Sequence, residues 1–460
     1  MRPRNQNARA LLPTLLARQP ASKAADLADG LGISLPTLHR LLKESGPAIL
    51  AAGKGSRARY AARRSLRGAA TDIPLYRVDG DGRVSELTRL ALVQPEGSLM
   101  PLAGSGWPVV DEASRDGWWP GLPYPLYDMR PQGFLGRHFA QAVQTELQLP
   151  ANPEHWRDDD IVLGLSQRGL DVSGNLILGE AACERWLAAS LQPGSVLSGE
   201  DVSETYPRLA ETAAHAGTGG SSTAGEFPKF TALRERAGMQ TPHVLVKFSG
   251  SDKSATVRRW SDLLVCEHLA LQAVGGMAGH VAARSVIIQA AGRTFLEVER
   301  FDRHGLHGRS GLCSLTVLDA AMLGGKTSDW TLLAAGLHRQ GWLDGGELEC
   351  VRRLWWFGRL IANTDMHTGN LAFRPGDTLQ TAPVYDMLPM LYAPMPGGEV
   401  PERDFRPSLP LPPDREVWLA ACRAALGFWR QAAADGRMTA GFREICRVNA
   451  ERLDQAAERV

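Results

Sequence analysis

The feature that most constrains the fold is a polar loop between apolar segments, RLIANTDMHTGNLAF, at residues 359–373. Asp365 and Asn370 lie in this loop, five positions apart. A second apolar segment, TAPVYDMLPML, predicts a strand followed by Asp386. Amide and carboxylate oxygens in these positions can hold Mg²⁺ between phosphate groups. The pattern therefore predicts that Asn370 and Asp386 meet at one metal site.

The segments before this loop predict a phosphate contact and an ion pair. PHVLVKFSG indicates a short apolar strand ending near Lys247, and SDLLVCEHLALQAV indicates an amphipathic helix carrying Glu267. ARSVIIQAAGRTFLEVERFDR then predicts two strands and a crossing between two lobes. Groups around Glu299 and Phe301 in that crossing are expected to take an adenine ring.

A strand lysine, a helix glutamate, an Asp-x₄-Asn loop and a later aspartate, in this order, form the catalytic set of protein kinases. In this interpretation Asp365 accepts the proton of a substrate hydroxyl, and Lys247 contacts the α- and β-phosphates of ATP. Asn370 and Asp386 hold Mg²⁺, although methionine follows Asp386 where kinases have phenylalanine. Each residue alone is typical of a cap or a turn. The order of all four predicts phosphoryl transfer.

A glycine- and serine-rich segment, HAGTGGSSTAGEFPKFTAL, spans residues 215–233. Its glycines allow backbone N–H groups to approach phosphate oxygens, although the GK[ST] ending of a Walker A loop is absent. Alone, the composition is typical of a mobile linker. Its position before the Lys247 strand favours a phosphate-binding loop. The nucleotide contacts predicted here and nearby are Gly220, Ser221, Ser222, Gly225, Lys229 and His367.

The first 67 residues are strongly basic, with 13 Lys and Arg against 3 Asp and Glu, a net charge of +10. The rest of the chain has a net charge of −9. A basic module on an acidic body indicates that one end meets a polyanion.

Within this basic module, the pattern predicts a helix over residues 8–17, interrupted near Pro13, and then a helix-turn-helix. AILAAGKGSRARYAARR predicts two strands around a basic wing. Residues 1–68 are therefore predicted to be a winged helix-turn-helix domain that binds double-stranded DNA. The predicted DNA contacts are Ser34, Thr37, His39, Arg40, Lys43, Lys54, Arg57 and Arg59.

Composition predicts an ordinary globular protein, because 44% of the residues are hydrophobic and 22% are charged. No apolar run reaches the roughly 18 residues of a membrane span, and the N-terminus lacks the pattern of a signal peptide. We therefore expect a cytoplasmic protein, nucleoid-associated when DNA-bound. The six cysteines are scattered and predict neither a metal site nor disulfides.

The motifs STAGEFPKF, HVLVKF, VERFDR, NTDMHTGNLAF and YDMLPM together resemble the HipA-like serine/threonine kinases, the toxins of bacterial toxin-antitoxin systems. The resemblance implies an α+β, bilobed protein-kinase-like fold that uses ATP and Mg²⁺. It implies an N-terminal lobe over residues 72–302 and a mostly helical lobe over residues 303–460. It also implies autophosphorylation of Ser222, which ejects the glycine-rich loop and inactivates the kinase.

The basic N-terminus departs from the usual HipA pattern, in which a separate antitoxin binds DNA. It is similar to the single-protein subgroup called HipH- or YjjJ-like, which leaves a separate antitoxin partner open. The resemblance implies a protein substrate, such as an aminoacyl-tRNA synthetase, and helix-turn-helix domains commonly dimerise. Two alternatives stay open: a DNA-binding regulator whose kinase-like body only senses nucleotide, and a metal-dependent nuclease acting on DNA.

Overall fold

The computed structural model describes residues 3–69, 71–109, 111–192, 194–216 and 227–460. The N-terminal module consists of three helices and a three-stranded sheet of order β1-β3-β2. Helix α2 ends at its C-cap residue Gly32. The φ of Gly32 is 62°, in the left-handed region, which glycine adopts without strain because it has no Cβ. The elements are α1 (Pro3–Arg18), β1 (Ser22–Lys23), α2 (Ala24–Leu31), α3 (Leu35–Glu44), β2 (Ile49–Ala52) and β3 (Arg59–Ala62).

Helix α1 continues through Pro13, so the predicted interruption is wrong. Ala8, Leu12 and Leu16 are buried along one face of α1 and pack against α2 and α3. This burial outweighs the loss of a backbone hydrogen bond at the proline, which otherwise disfavours a helix interior.

A middle domain follows, built on a five-stranded sheet of order β7-β6-β5-β4-β8. The segment LYRVDGDGRVSELTRLALV, residues 75–93, alternates along two strands around a Gly-containing turn, and β4 and β5 pair there as an antiparallel hairpin. The elements are β4 (Ile73–Val78), β5 (Val84–Leu92), β6 (Ser98–Leu99), α4 (Glu112–Arg115), β7 (Trp118–Trp119), α5 (Tyr124–Asp128), α6 (Gly133–Leu147), α7 (Asp158–Arg168), β8 (Leu176–Leu178) and α8 (Glu180–Leu191).

A second five-stranded sheet, of order β12-β13-β11-β10-β9, lies next in the chain. The region predicted as one lobe, residues 72–302, thus holds two separate sheets. Helix α9 packs on one face of the second sheet, where Tyr206 and Phe230 are buried. The elements are β9 (Val196–Leu197), α9 (Val202–Ala216), β10 (Lys229–Arg234), β11 (His243–Phe248), α10 (Ala255–Gly275), β12 (Ser285–Ala290) and β13 (Arg293–Glu299).

The C-terminal region is mostly helical, as predicted. Its core contains Trp418, Phe428 and Trp429, which are fully buried at helical spacing on α14. The elements are β14 (Arg303–His304), β15 (Gly308–Arg309), β16 (Cys313–Ser314), α11 (Leu315–Leu318), α12 (Trp330–Arg339), α13 (Gly345–Leu360), β17 (Ala372–Arg374), β18 (Gln380–Thr381), α14 (Arg415–Ala434) and α15 (Ala440–Ala457).

The N-terminal module is docked on the middle domain through its hairpin. The Arg64 N–H donates to the Leu92 carbonyl at 2.9 Å, and the Gln94 N–H donates to the Ala62 carbonyl at 2.9 Å. Leu50 and Trp118 are buried in one shared cluster. The module is therefore joined to the body by backbone hydrogen bonds and apolar contact. In the described ranges, no helix has the length and apolarity that crossing a membrane requires.

Candidate active site

A cavity of about 400 Å³ lies between the second sheet and the C-terminal region. Strands β10 and β11 supply Lys229 and Lys247, which are direct cross-strand neighbours. Helix α10 supplies Glu267. Residues far apart in the chain thus meet at one place. The predicted residues that line this cavity are Lys229, Lys247, Glu267, Glu299, Phe301, Asn370 and Asp386.

Lys247 is the centre of a buried ion network. Its Nζ lies 2.7 and 2.9 Å from the two carboxylate oxygens of Glu267 and also contacts Asp386. Lys247 and Glu267 are 4% and 1% exposed. The predicted strand-lysine and helix-glutamate pair is therefore present in the structure, with a third charged partner.

The electrostatics of this network favour its charged form. Burial alone would lower the pKa of Lys247, but Asp386 and Glu267 raise it above its ordinary value. Burial alone would raise the pKa of Asp386, but Lys247 and Lys229 hold it at about 2. Asp386 therefore carries the negative charge that a divalent cation requires.

The backbone at Asp386 is strained. Its φ of 51° is in the left-handed region, which non-glycine residues rarely adopt. The strand predicted before it reduces to a single bridge between Ala282 and Val384. Tyr385 stacks on Phe301 at 5.7 Å between ring centroids, and its hydroxyl donates to the Gly369 carbonyl at 2.7 Å. These contacts hold the carboxylate at the cavity despite the unfavourable conformation.

The polar loop has an internal hydrogen-bond frame. The Asn363 side-chain oxygen accepts the Asp365 N–H at 3.0 Å, and the Asn370 amide donates to the Asp365 carbonyl at 2.9 Å. Trp330, fully buried below, donates its indole N–H to the His367 carbonyl at 3.2 Å. The frame leaves the Asn370 amide oxygen available as a metal ligand.

Asp365 lies outside the cavity of Lys247. It is exposed and lines an adjoining groove of about 610 Å³, together with Arg359, His367 and Asp404. His367 lies at this groove and not among the residues that line the cavity of Lys247. The predicted base and the predicted metal ligands thus face different spaces. They are nevertheless neighbours across the polar loop, because the Asn370 side-chain amide donates a hydrogen bond to the Asp365 carbonyl.

The residues present fit a bound Mg²⁺. Among the described residues no group of three or more His, Cys, Asp or Glu side chains is arranged to hold a metal ion. Mg²⁺ bound to a nucleotide needs only one or two protein oxygens, because phosphates and waters fill the other positions. Asn370 and Asp386, which line one cavity with Lys247, supply that number.

The crossing between lobes differs in detail from the prediction. Glu299 is buried, and one carboxylate oxygen accepts the N–H groups of Gln240 at 2.6 Å and Thr241 at 3.3 Å. This oxygen therefore holds the preceding loop, while the other carboxylate oxygen is buried and has no hydrogen-bond partner among the described residues. Phe301, half-buried in the cavity wall, offers the ring face.

The sequence indicated no functional role for two features of the cavity wall. Asp128 accepts the N–H and the hydroxyl of Ser314 at 2.7 and 2.6 Å. Burial raises the pKa of Asp128 to about 6, although the Ser314 hydrogen bonds oppose the rise. Asp128 lines both the cavity of Lys247 and a neighbouring cavity of about 720 Å³. A lone aspartate in a loop-like segment gave no sequence signal for this contact. The second feature is a cluster of arginines and aspartates around Arg300.

Part of the nucleotide prediction falls on residues 217–226. The predicted phosphate-binding residues Gly220, Ser221, Ser222 and Gly225 lie outside the described residues.

The predicted DNA contacts lie on α3 and on the hairpin of the N-terminal module. Ser34, His39, Arg40, Lys43, Lys54 and Arg57 are exposed, and Thr37 and Arg59 are half-buried. Three of the cations have partners within the chain. Arg59 donates to the Ala21 carbonyl at 3.2 Å, Arg57 lies 3.6 Å from Glu112 on α4, and Arg40 lies 3.9 Å from Glu44 at the end of α3.

Comparison with protein families finds two matches. Residues 69–187 match the middle domain of YjjJ-like toxins, and residues 221–452 match the HipA-like C-terminal domain. The second match contains every residue of the cavity from Lys229 to Asp386.

Comparison with individual proteins agrees. The chain is 34% identical to Toxin YjjJ of Escherichia coli (strain K12) over 454 residues, which are 98% of each chain. HipA of Shewanella oneidensis MR-1, solved with HipB and its operator DNA, matches at a TM-score of 0.54 and 14% identity, over 84% of this chain and 97% of that one. The Helicobacter pylori proinflammatory kinase CtkA matches at 0.36 and 14% identity, over 52% and 93%, a score too low to bear on the fold. By the sequence match over its whole length, the chain belongs to the YjjJ-like toxins, which carry a HipA-like C-terminal domain.

Proposed function

We propose that the protein is an ATP- and Mg²⁺-dependent serine/threonine protein kinase that also binds DNA. The observation that carries this proposal is the buried contact of Lys247 with both Glu267 and Asp386, in one cavity with Asn370. Buried charges are costly unless they are paired or bind a ligand. A lysine held between two carboxylates beside an amide oxygen suits the phosphates and metal of a nucleotide.

The residues divide the work between two sides of the polar loop. On the cavity side, Lys247 would contact the phosphates, and Asn370 and Asp386 would hold Mg²⁺. Bound ATP with Mg²⁺ supplies the phosphoryl group and an electrophilic phosphorus. On the groove side, Asp365 would accept the proton of the substrate hydroxyl. Phe301 and Tyr385 would position the adenine ring against an apolar face.

The protein substrate would lie in the groove of Asp365. The proline-rich segment over residues 393–413 forms one wall, through Phe405, Arg406 and Ser408. Arg359, on α13, donates to the Ser408 hydroxyl at 2.9 Å and joins this segment to the helix before the polar loop. Such a groove fits an extended segment that presents a serine or threonine. A translation factor such as an aminoacyl-tRNA synthetase is a candidate substrate by family likeness.

The N-terminal module would bind double-stranded DNA as a winged helix-turn-helix. Helix α3 carries His39, Arg40 and Lys43 on its exposed face, and the hairpin carries Lys54 nearby. Exposed cations on a helix and a hairpin suit phosphate oxygens and base edges. Binding to its own operator would let the toxin limit its own expression, with or without a separate antitoxin, and a homodimer would read two half-sites.

The proposal is tested by incubating the purified protein with Mg²⁺ and ATP labelled at the γ-phosphate. We expect labelled protein, with phosphate on Ser222 by mass spectrometry, and none in Asp365→Ala. Ser222→Ala should lose that phosphate but keep ATP turnover. If wild type neither transfers phosphate nor turns over ATP, the body is a nucleotide sensor instead. Nicking of supercoiled DNA with Mg²⁺ but without ATP would indicate a nuclease.

A further inference from the structure

A charged cluster lies at the crossing between the two lobes, in the wall of the cavity of Lys247. Arg300 and Arg303 each lie 2.9 Å from Asp171. They lie 3.1 and 2.7 Å from Asp302. Burial alone would raise the pKa of both aspartates, but these arginines lower it. Two arginines and two aspartates therefore balance one another.

Arg309, on β15, adds a third guanidinium to this balanced set. It is 5% exposed, and its Nη2 donates to the Leu170 carbonyl at 2.7 Å. Its Nη1 is buried and has no hydrogen-bond partner in the part of the chain that the structure describes. The Trp186 ring lies 5.4 Å from its Cζ. The cluster thus has one positive charge in excess. It also has two buried donors, Arg303 Nε and Arg309 Nη1, that have no partner among the described residues.

This charge is unfavourable in the structure as it stands. Burial and the repulsion from Arg303 lower the pKa of Arg309 to about 9. An interior cation needs a counterion and hydrogen-bond acceptors to offset the loss of hydration. The backbone carbonyl of Leu170 supplies one acceptor but no charge.

A cavity of about 300 Å³ adjoins this guanidinium. Arg309 and Trp186 both line it, with Arg300, His243 and His307. Arg300 and Asp171 also line the nucleotide cavity, so the cluster is the wall between the two cavities. The volume is at the lower limit for small-molecule sites and excludes a macromolecule.

We propose that this second cavity binds a small oxyanion, a phosphate or a carboxylate group, through Arg309. The oxyanion supplies the missing negative charge to the Arg309 guanidinium, which lines this cavity, and lies beside Trp186. Guanidinium groups bind such oxyanions through charge-assisted hydrogen bonds. The site uses none of the residues proposed for phosphoryl transfer, so it stands or falls independently of the kinase activity.

The test is calorimetric titration of the full-length protein with inorganic phosphate and, separately, with acetate, at constant ionic strength. We expect one equivalent of at least one anion to bind, and the stronger of the two identifies the ligand chemistry. Arg309→Gln should weaken binding about 10- to 100-fold, the effect of losing a charge-assisted hydrogen bond. Arg374→Gln is the matched control, because the Arg374 Nε is also buried without a partner among the described residues but lies outside this cavity.

Three outcomes would overturn the proposal: no saturable binding of either anion, binding that Arg309→Gln leaves within about twofold, or phosphate binding lost only in Lys247→Met, which would place the anion in the nucleotide cavity.

If Arg309→Gln does not fold, tryptophan fluorescence of the wild type and of Trp186→Phe is the second test. We expect the bound anion to change the emission of the wild type but not of Trp186→Phe. An unchanged wild-type emission, or an equal change in Trp186→Phe, contradicts the assignment.

Discussion

The cavity of Lys247 and the N-terminal module, which we propose to bind ATP and DNA, both present basic residues, but they hold them in opposite ways. In the cavity, Lys247 is buried and bound to two carboxylates. In the module, His39, Lys43 and Lys54 are exposed to solvent. One site has few charges in defined positions, and the other has many charges on a surface.

This difference in exposure determines what each site can do. Charges that are oriented before the ligand arrives need no reorganisation during reaction, which is the condition for electrostatic catalysis. Exposed charges on long side chains give affinity that depends on their number and on salt. Single substitutions should therefore have large effects in the cavity and small, graded effects on the module.

The largest effect is expected for Asp365→Ala. Loss of the base that accepts the hydroxyl proton should lower the rate of phosphoryl transfer about 10²- to 10⁴-fold, with no change in thermal stability because the side chain is exposed. The measurement is the initial rate of label transfer from ATP. Asp377→Ala is the control, since Asp377 is exposed in the turn between β17 and β18. Equal rates in wild type and Asp365→Ala would remove Asp365 from the mechanism.

The second effect is expected for Lys247→Met. It leaves Glu267 and Asp386 without their common partner, and breaking a buried ion pair on one side costs about 3–5 kcal/mol in the free energy of unfolding. Denaturant unfolding measures it, with Lys326→Met as the control because Lys326 is exposed. Phosphoryl transfer should fall as well. A loss of stability below about 1 kcal/mol, the range of surface pairs, would show that the network is not buried in solution.

The elements of the cavity could be predicted from sequence because each has a strong local pattern. The apolar run before Lys247 and the helical spacing around Glu267 indicated β11 and α10 correctly. The spacing of Asp365 and Asn370 indicated a single loop, and the structure joins them by a hydrogen bond. The order of these elements along the chain was therefore enough to predict several residues of the site.

Other features depend on contacts that no local pattern encodes. Asp128 and Ser314 are 186 positions apart in the chain, and their hydrogen bonds exist only after the middle domain docks. No local pattern around Arg300 and Asp302 shows that they face the protein interior, yet Asp302 is 5% exposed and pairs with the half-buried Arg300. The φ of 51° at Asp386 is imposed by its surroundings. Tertiary burial also kept α1 continuous through Pro13.

The third prediction concerns how the free energy of unfolding depends on pH through the buried carboxyl group of Asp128. Because the pKa of Asp128 is raised from 3.8 to about 6, the folded state binds more protons than the unfolded state between these values. The free energy of unfolding should therefore fall as pH rises from 4 to 6, by at most about 3 kcal/mol from this residue. Asp128→Asn should flatten this slope in denaturant unfolding at several pH values. An unchanged slope would mean that Asp128 is solvated.

The smallest effects are expected on the N-terminal module. Lys43→Ala and Lys54→Ala should each reduce the slope of log affinity against log salt concentration by about 1, because each removes one phosphate contact. Fluorescence anisotropy with a labelled DNA duplex at several KCl concentrations measures this slope. Phosphoryl transfer should stay at the wild-type rate in both variants.

Arg59→Ala sharpens this last prediction, because the Arg59 guanidinium already donates to the Ala21 carbonyl inside the module. A side chain that is committed to the fold should change stability more than the salt slope. If instead Arg59→Ala lowers the slope as much as Lys43→Ala, the half-buried arginine reaches the phosphates, and the hairpin must open from Ala21 when DNA binds. If none of the three changes the slope, the basic face does not meet DNA, and the contrast between a buried phosphate site and an exposed one no longer holds.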